Sequence, residues 1–345
     1  MDRLRPVVSE SIGTRWREWV QEFGGNIYHS EEWADLRRRG NSIPLFFHWL
    51  DRDERCAGIA VGIKSWSPVR YVGRFFKRLE FDTYPVSSGN DVDLTRCMLS
   101  HIVEYSKKSG YTDLSILSYH TRIQVPDLEQ LGLSISPRVE FVLDLSMTED
   151  DLWMRLSSHH RRKIKNAIKH GLVFDGASTT LDAARQFRNL QKRSRDRRMQ
   201  RGESVGTLDD AYFEEWCGRY FERNLGRIFF LTHDQNPVSA AFVSLHGGQA
   251  TYVYGGSSDD GFRMDAPALL FWKIFAWCRD FGCREFSLGG VPASAMDTDS
   301  PSHGLYRFKA GFGGAQVMCY SVKAENLNAP REWIRRGAKK IWRPR

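Results

Sequence analysis

Residues 227–245 read RIFFLTHDQNPVSAAFVSL, and residues 44–62 read PLFFHWLDRDERCAGIAVG. Each segment places an apolar run with a Phe-Phe pair before a polar turn and a second apolar run. Because this order is typical of two short strands joined by a turn, each segment predicts a β-hairpin. The two copies indicate an internal repeat, which we take as the first clue to the fold.

A second pair of similar segments follows each hairpin in the same order. Residues 105–116 read YSKKSGYTDLSI, and residues 277–288 read WCRDFGCREFSL. In both, an amphipathic helix carries a basic residue near its end, Gly110 or Gly282 supplies a left-handed cap, and a strand follows. The sequence therefore predicts an α+β fold of two tandem domains, each a mixed, mainly antiparallel sheet flanked by helices.

The boundary between the two domains is expected near Ser146. A predicted strand over residues 141–145 precedes Thr148, which begins a capping-box-like start with Asp151 three residues later. One helix is expected to follow and to end before Gly171, with its apolar stripe at Leu152, Leu156, Ile164 and Ile168.

These boundaries define the domain prediction. Residues 1–146 are expected to form the N-terminal domain, and residues 147–314 the C-terminal domain with the functional site. We expect residues 315–345 to pack on the N-terminal domain.

The composition is that of a globular chain. Of its 345 residues, 41% are hydrophobic and 27% are charged, which argues against a disordered or fibrous protein. The first residues lack the apolar core of a secretory signal, and no apolar stretch is long enough to span a bilayer. A cytoplasmic protein is expected, with its six scattered cysteines reduced.

The net charge of +8 is concentrated in three segments, residues 161–169, 185–201 and 330–345. Such clusters indicate an anionic partner such as nucleic acid, a phosphorylated substrate or a membrane surface. Solvated helix faces are the alternative for each. Residues 331–345 can form an amphipathic helix suited to peripheral contact with an anionic membrane at its inner face, or to packing on the N-terminal domain.

Several kinds of chemistry have no motif in the chain. No nucleophile elbow, nucleotide phosphate loop or zinc-protease helix motif is present. The adjacent His159 and His160 are expected at the surface rather than as metal ligands. We therefore predict no metal site.

Residues 304–314, GLYRFKAGFGG, set a cation and aromatic residues between glycines. This pattern predicts either a backbone that approaches a ligand closely or a turn with Phe308 and Phe312 in the core. The sequence by itself leaves both interpretations open.

Five motifs in order resemble the Fem family of peptidoglycan bridge-forming aminoacyltransferases, a group with BioF2-like relatives in the GNAT superfamily. They lie at residues 161–172 (R-x-x-I-K-x-A-x-x-x-G-L), 252–257 (Y-x-Y-G-G-S), 267–272 (P-A-L-L-x-W), 288–290 (L-G-G) and 304–314. The resemblance implies a tandem pair of GNAT-like domains. It also implies transfer of an amino acid from aminoacyl-tRNA to an amine of a peptidoglycan precursor, without a cofactor.

The resemblance also implies roles for individual residues. Lys309 would stabilise charge during transfer, and Phe308 would stack on the terminal adenine of the donor. The expected substrate-binding residues are Tyr254, Tyr306, Arg307, Arg37 and Arg198. Arg37 would hold precursor phosphate, although a plain helix-surface arginine is the alternative.

Two rival functions remain open at this point. The first is an acyl-CoA-dependent N-acyltransferase of envelope or polysaccharide biosynthesis, with acetyl-CoA or another acyl-CoA as donor. Residues 263–268, RMDAPA, replace the glycine-rich pyrophosphate loop that such enzymes carry. The second is a basic RNA- or membrane-binding module whose transfer site has decayed.

Overall fold

A computed structural model of the chain describes residues 4–66, 76–200 and 209–325. The amphipathic segment at 331–345 lies outside these residues. The described chain divides into two compact units, one containing residues up to Pro137 together with those from Cys319 onward, and the other Arg138–Met318. The domain ranges expected from the sequence stay predictions.

Runs of consecutive strands are separated by helices in both units. The first part of the chain contains β1 (Arg5–Ser9), α1 (Trp16–Glu22), α2 (Glu31–Arg37), β2 (Ser42–Leu50), β3 (Cys56–Trp66), β4 (Lys77–Phe81), β5 (Val86–Ser87), α3 (Val92–Lys108), β6 (Asp113–Ile116) and β7 (Ser134–Asp144). There follow α4 (Glu149–Arg155), α5 (Ser158–Lys169), β8 (Val173–Ser178), α6 (Leu181–Gln200), α7 (Asp210–Glu222), β9 (Gly226–His233), β10 (Asn236–His246), β11 (Gln249–Ser257), α8 (Asp259–Arg263), α9 (Ala266–Asp280), β12 (Glu285–Pro292), α10 (His303–Ala310) and β13 (Ala315–Glu325). Short 3₁₀ turns lie at Ile27–His29, Ser88–Asn90, Leu128–Leu131 and Ala293–Met296.

Both predicted hairpins are confirmed. Strands β2 and β3 pair antiparallel, as do β9 and β10. In the first turn the Asp51 carboxylate accepts the N–H groups of Asp53 and Arg55 at 2.8 and 2.9 Å. The second turn places Asp234 and Gln235 at φ values of 48° and 64°, the left-handed pair that tight hairpins favour.

The same topology is repeated in the two units. Strand β4 pairs antiparallel with β3 and, after α3, parallel with β6. Strand β11 likewise pairs antiparallel with β10 and, after α9, parallel with β12. Gly110 and Gly282 end the two helices at φ values of 69° and 95°, so the predicted left-handed caps are confirmed.

Each unit has its own apolar core. The N-terminal core includes Phe47, Trp49, Phe81, Met98, Ile102 and Val322. The C-terminal core includes Phe141, Ile164, Phe229, Phe275, Phe286 and Phe312. Side chains of this size each stabilise the fold by about 1.5–3 kcal/mol when fully buried.

The prediction of a single helix after Thr148 is wrong. Thr148 does begin a helix, because its hydroxyl accepts the N–H of Asp151 at 3.1 Å, but that helix is α4 and ends at Arg155. Ser157 then accepts the N–H of His160 at 3.2 Å and begins α5. Ile168, expected in the apolar stripe, is 56% exposed.

The cysteines and the helix lengths bear on two further expectations. All six cysteines are free thiols, four of them buried. No helix within the described ranges is both long and apolar enough to cross a membrane.

Candidate active site

A β-bulge in β11 places Tyr252 and Tyr254 on opposite faces of the C-terminal sheet. Tyr254 pairs with Phe242 and Tyr252 with Val243, so Val253 is the extra residue. Because neighbouring residues of β10 point to opposite faces, the two tyrosines do too. Tyr252 lies on the face that carries α9, with its ring 4.9 Å from that of Phe271.

Lys309 lies on the same face as Tyr252, at the last turn of α10. It is 5% exposed, and its Nζ donates a hydrogen bond to the Gly290 carbonyl at 3.2 Å. The ammonium is 5.7 Å from the centre of the Tyr252 ring, which places it within range of a cation–π contact. Among the described residues, no carboxylate lies within ion-pair distance of Nζ.

Two neighbouring glycines of β12, Gly289 and Gly290, lie beside Lys309 and Arg138. Gly289 has a φ of 68°, and a Cβ added there would lie 3.5 Å from Lys309 Nζ. A Cβ added to Gly290 would lie 2.4 Å from Nη2 of Arg138. A side chain at Gly290 would therefore displace the guanidinium, so the second glycine of the Leu288-Gly-Gly motif has a steric reason in this site. The first glycine has a conformational reason, which is its positive φ.

An ion pair on β7, between the buried Glu140 and the half-buried Arg138, borders the site. Glu140 lies opposite Gly290 in the β7–β12 register, is 2% exposed, and pairs with Arg138 at 3.3 Å. Burial, with a smaller contribution from the charge of Arg138, lowers the pKa of Lys309 from its usual 10.5 to about 8. The negative charge of Glu140 acts in the opposite direction and raises that pKa.

In this arrangement Lys309 is a buried, desolvated cation at neutral pH. With a pKa of about 8, Lys309 is still mostly protonated at pH 7. Its charge is held by a carbonyl dipole and an aromatic face rather than cancelled by a carboxylate. A cation in such surroundings interacts strongly with any negative charge that develops beside it.

Phe308 belongs to an aromatic cluster beside Lys309. Its ring centre lies 5.1 Å from that of Phe312, 5.4 Å from His160 and 5.7 Å from Phe271. Phe312 is buried in the core, whereas Phe308 remains half-buried at its edge. The interpretation as a turn with both rings in the core therefore holds for Phe312 only, and residues 303–310 form a helix instead of a loop.

His160 was expected at the surface, and that expectation is wrong. The ring is 2% exposed, and a Cβ on Gly311 would lie 2.2 Å from its Cε1. Burial, aided by the positive charges of His159 and Lys163, lowers the pKa of His160 to about 4, so it is neutral at pH 7. The signal was present in the sequence, since His160 occupies the one gap in the row of apolar residues four apart.

Three predicted substrate residues lie in different surroundings. Tyr254 faces α7, with its ring 5.5 Å from Trp216, so Tyr252 rather than Tyr254 accompanies Lys309. Tyr306 donates a hydrogen bond to Gln316 at 3.0 Å. Arg307 is exposed on α10. Sequence reasoning missed Tyr252, Arg138 and Glu140.

The remaining two predicted residues lie apart from this cluster in the sequence. Arg37 ends α2 in the N-terminal unit, where it pairs with Asp82 at 2.9 Å and Glu80 at 3.4 Å. Its guanidinium lies 5.6 Å from the Trp33 ring centre. Arg198 belongs to α6, but the structure does not describe its side chain. Their substrate roles stay predictions.

Within the described residues, no cluster of three or more His, Cys, Asp or Glu side chains could hold a metal ion.

Comparison with known families identifies the domain that carries this site. Residues 155–310 match the model of a family described as an acetyltransferase (GNAT) domain. The matched segment lies within the C-terminal unit and contains Lys309 and Phe308. The prediction of an acyltransferase is thereby confirmed at this level.

Solved structures with the same fold extend over the whole chain. FemX is 15% identical, with 95% of this chain and 99% of FemX covered at a TM-score of 0.73. A tandem GNAT protein from the clavulanic acid biosynthesis pathway is 11% identical, with 94% and 99% covered at 0.52. L-PGS from Bacillus licheniformis is 15% identical, with 93% and 94% covered at 0.51.

These likenesses confirm the α+β fold as a tandem pair of GNAT-like domains and the structural resemblance to Fem proteins. At such identities they concern the fold alone. No sequence among the curated proteins gave a match.

Proposed function

We propose that this Fem-like acyltransferase moves an amino acid from aminoacyl-tRNA to an amine of a peptidoglycan precursor. The observation that carries the proposal is the buried ammonium of Lys309, which has a pKa of about 8 and hydrogen-bonds a carbonyl instead of a carboxylate. The donor and the acceptor come from the resemblance of the five motifs to the Fem family.

The reaction needs a cation at this point. The acceptor amine attacks the ester carbonyl carbon, and the carbonyl oxygen takes up the electron pair. When the tetrahedral intermediate collapses, the C–N bond is kept, the ribose oxygen leaves with the electron pair of the broken C–O bond, and the amine's proton neutralises it. Lys309 would stabilise the negative charge on the carbonyl oxygen and then on the ribose oxygen.

Phe308 would serve the donor end of the same reaction. Its half-buried ring lies beside the neutral His160 and offers an apolar edge next to Lys309. Stacking of the terminal adenine on such a ring is worth about 1–3 kcal/mol. Binding of the adenine there would bring the ester within reach of the ammonium.

An acyl-CoA donor is the second candidate, because the matched family is described as an acetyltransferase. The start of α9 argues against it. Helix N-termini bind phosphates through free N–H groups, but here Asp265 occupies the N-cap and Pro267 lacks an N–H in the first turn. The preceding α8 begins with Asp259 and Asp260, whose carboxylates pair with Arg197 and Arg263 and so make these two arginines less available to a pyrophosphate.

One experiment distinguishes the two candidate donors, aminoacyl-tRNA and acyl-CoA. The protein is incubated with a mixture of aminoacyl-tRNAs, with acetyl-CoA, and with a peptidoglycan precursor that carries a free amine. We expect amine-dependent loss of the amino acid from tRNA and a matching gain on the precursor. Consumption of acetyl-CoA with no deacylation of tRNA would overturn the proposal and establish the second candidate.

A further inference from the structure

Two helices of the C-terminal unit, α5 and α6, carry many positive charges. They differ in how many of these charges are paired with acidic side chains. On α6 the cations are largely neutralised, by the pairs Arg185–Glu214, Arg188–Asp210, Lys192–Asp210, Arg195–Asp196 and Arg197–Asp259. On α5 only Lys163 has an acidic partner, Asp265 at 3.3 Å. Arg161, Arg162, Lys165 and Lys169 make no ion pair with any described residue.

These four α5 cations line one concave surface. Together with Asp265 they border a cavity of about 540 Å³, which we call the α5 cleft. Asp265 is the acid in this cleft, and it is already held by Lys163 and by Asn166 at 2.9 Å. The cleft therefore presents a net positive field to solvent.

The spacing of the cations suits a chain of phosphates. Arg161, Lys165 and Lys169 are four residues apart on one ridge, so successive heads are separated by about 6 Å along the helix. A single phosphate would engage one or two of them. A continuous phosphodiester backbone can engage all three.

The α5 cleft lies on the outer side of its helix. The opposite side buries His160, Ile164 and Ala167, and His160 contacts the Phe308 ring. A ligand in the cleft is thus separated from Phe308 by the width of the helix, about 10 Å. This position suits a large polyanion that extends beyond the reacting group better than a compact nucleotide such as coenzyme A.

We propose that the α5 cleft binds the phosphate backbone of an RNA, namely the body of the donor tRNA. This inference rests on the proposed function for the identity of the RNA. A membrane surface fits less well, because helices that bind at the bilayer interface insert an apolar face, and the apolar face of α5 is buried in the core.

The test compares two variants with the same change of charge. Lys165→Glu/Lys169→Glu reverses two exposed cleft cations, and Arg52→Glu/Lys107→Glu reverses two exposed cations of the N-terminal unit. Binding of uncharged tRNA is measured by filter retention over a range of salt concentrations. We expect the cleft variant to lose about tenfold or more in affinity, and the slope of log K against log salt to fall by roughly 1.5, since each phosphate contact contributes about 0.7–0.9. The control variant should keep the wild-type slope.

Several outcomes would overturn the inference. One is an equal loss in both variants, and another is an unchanged salt slope in the cleft variant. A third is loss of binding to phosphatidylcholine vesicles containing phosphatidylglycerol with tRNA binding intact, which would assign the cleft to a membrane. Because uncharged tRNA is used, the result does not depend on whether transfer occurs.

Two more variants guard against a folding artefact. Lys165→Arg/Lys169→Arg keeps the charge and should restore wild-type binding. Lys165→Gln/Lys169→Gln removes the charge without adding acid, and should give an intermediate loss with an unchanged melting temperature. Failure of the arginine variant to restore binding would contradict the proposal.

Discussion

Lys309 and the α5 cations lie in the same unit, yet their surroundings are opposite. Lys309 is buried, with a pKa lowered to about 8. Lys165 and Lys169 are exposed on the helix that contacts Phe308 through His160. A desolvated cation acts strongly at short range, whereas a solvated one acts weakly and is screened by salt.

The difference separates two kinds of contribution to one reaction. In the proposed reaction Lys309 would act on charge that exists only during transfer, so it should affect turnover. The α5 cleft faces a ligand that is charged throughout, so it should affect affinity. Variants at the two places should therefore change different kinetic constants.

The largest effect is expected for Lys309→Met. Removal of one buried donor to a developing oxyanion typically lowers kcat by about 10²–10³-fold. Donor affinity should change little, because the tRNA phosphates are not held by Lys309. Single-turnover rates and donor titrations measure the two quantities separately.

Lys273→Met is the matched control for this prediction. Lys273 is exposed on α9 in the same unit, so loss of its charge should leave both constants near the wild-type values. Equal turnover of Lys309→Met and the wild type would remove Lys309 from the mechanism. A loss confined to donor affinity would mean that Lys309 contributes to binding, as the α5 cations are expected to do. It would contradict the proposed difference between the two sites.

Lys309→Met should also change the free energy of unfolding. This effect is smaller than the effect on kcat, and here the variant is expected to gain rather than lose. A pKa that falls from 10.5 to about 8 on folding means that the charged form is destabilised, by about 3 kcal/mol. Since Lys309→Met removes this cost but also the hydrogen bond to Gly290, worth about 1 kcal/mol, the variant should be more stable by about 2 kcal/mol at pH 7.

The pH dependence of that gain follows from the proton balance. Between pH 8 and 10.5 the unfolded lysine still binds a proton that the folded one has released, so wild-type stability rises with pH in this window. The gain of Lys309→Met should therefore be full below pH 8 and should shrink towards pH 10.5. Urea unfolding at pH 7 and pH 10 measures it, and a gain that does not depend on pH would contradict the lowered pKa.

Local patterns in the sequence were sufficient for the repeated topology. Both hairpins and the caps at Gly110 and Gly282 depend on residues that are neighbours in the chain, so composition and periodicity predict them. Lys309 and Phe308 could be found from motif resemblance, because they are adjacent in a short conspicuous segment.

Contacts between distant segments were beyond sequence reasoning. The bulge at Val253 exchanges the faces of Tyr252 and Tyr254, and no residue pattern marks it. Glu140 is assigned to the site only by the register of β7 against β12. The charges of α5 and α6 look alike in sequence, and only the pairing of α6 with acids elsewhere in the unit distinguishes them.

The smallest effect is expected for Glu140→Gln, a change on the strand beside Lys309. Glu140 raises the pKa of Lys309, so its neutralisation should lower that pKa and remove the ammonium at a lower pH. Because transfer also needs a neutral acceptor amine, activity should rise and then fall with pH. Only the alkaline limb should move, and it should move to lower pH. Asp144→Asn, at an exposed position of the same strand, should leave the profile in place. If both variants shift the limb equally, the Arg138–Glu140 pair does not change the pKa of Lys309.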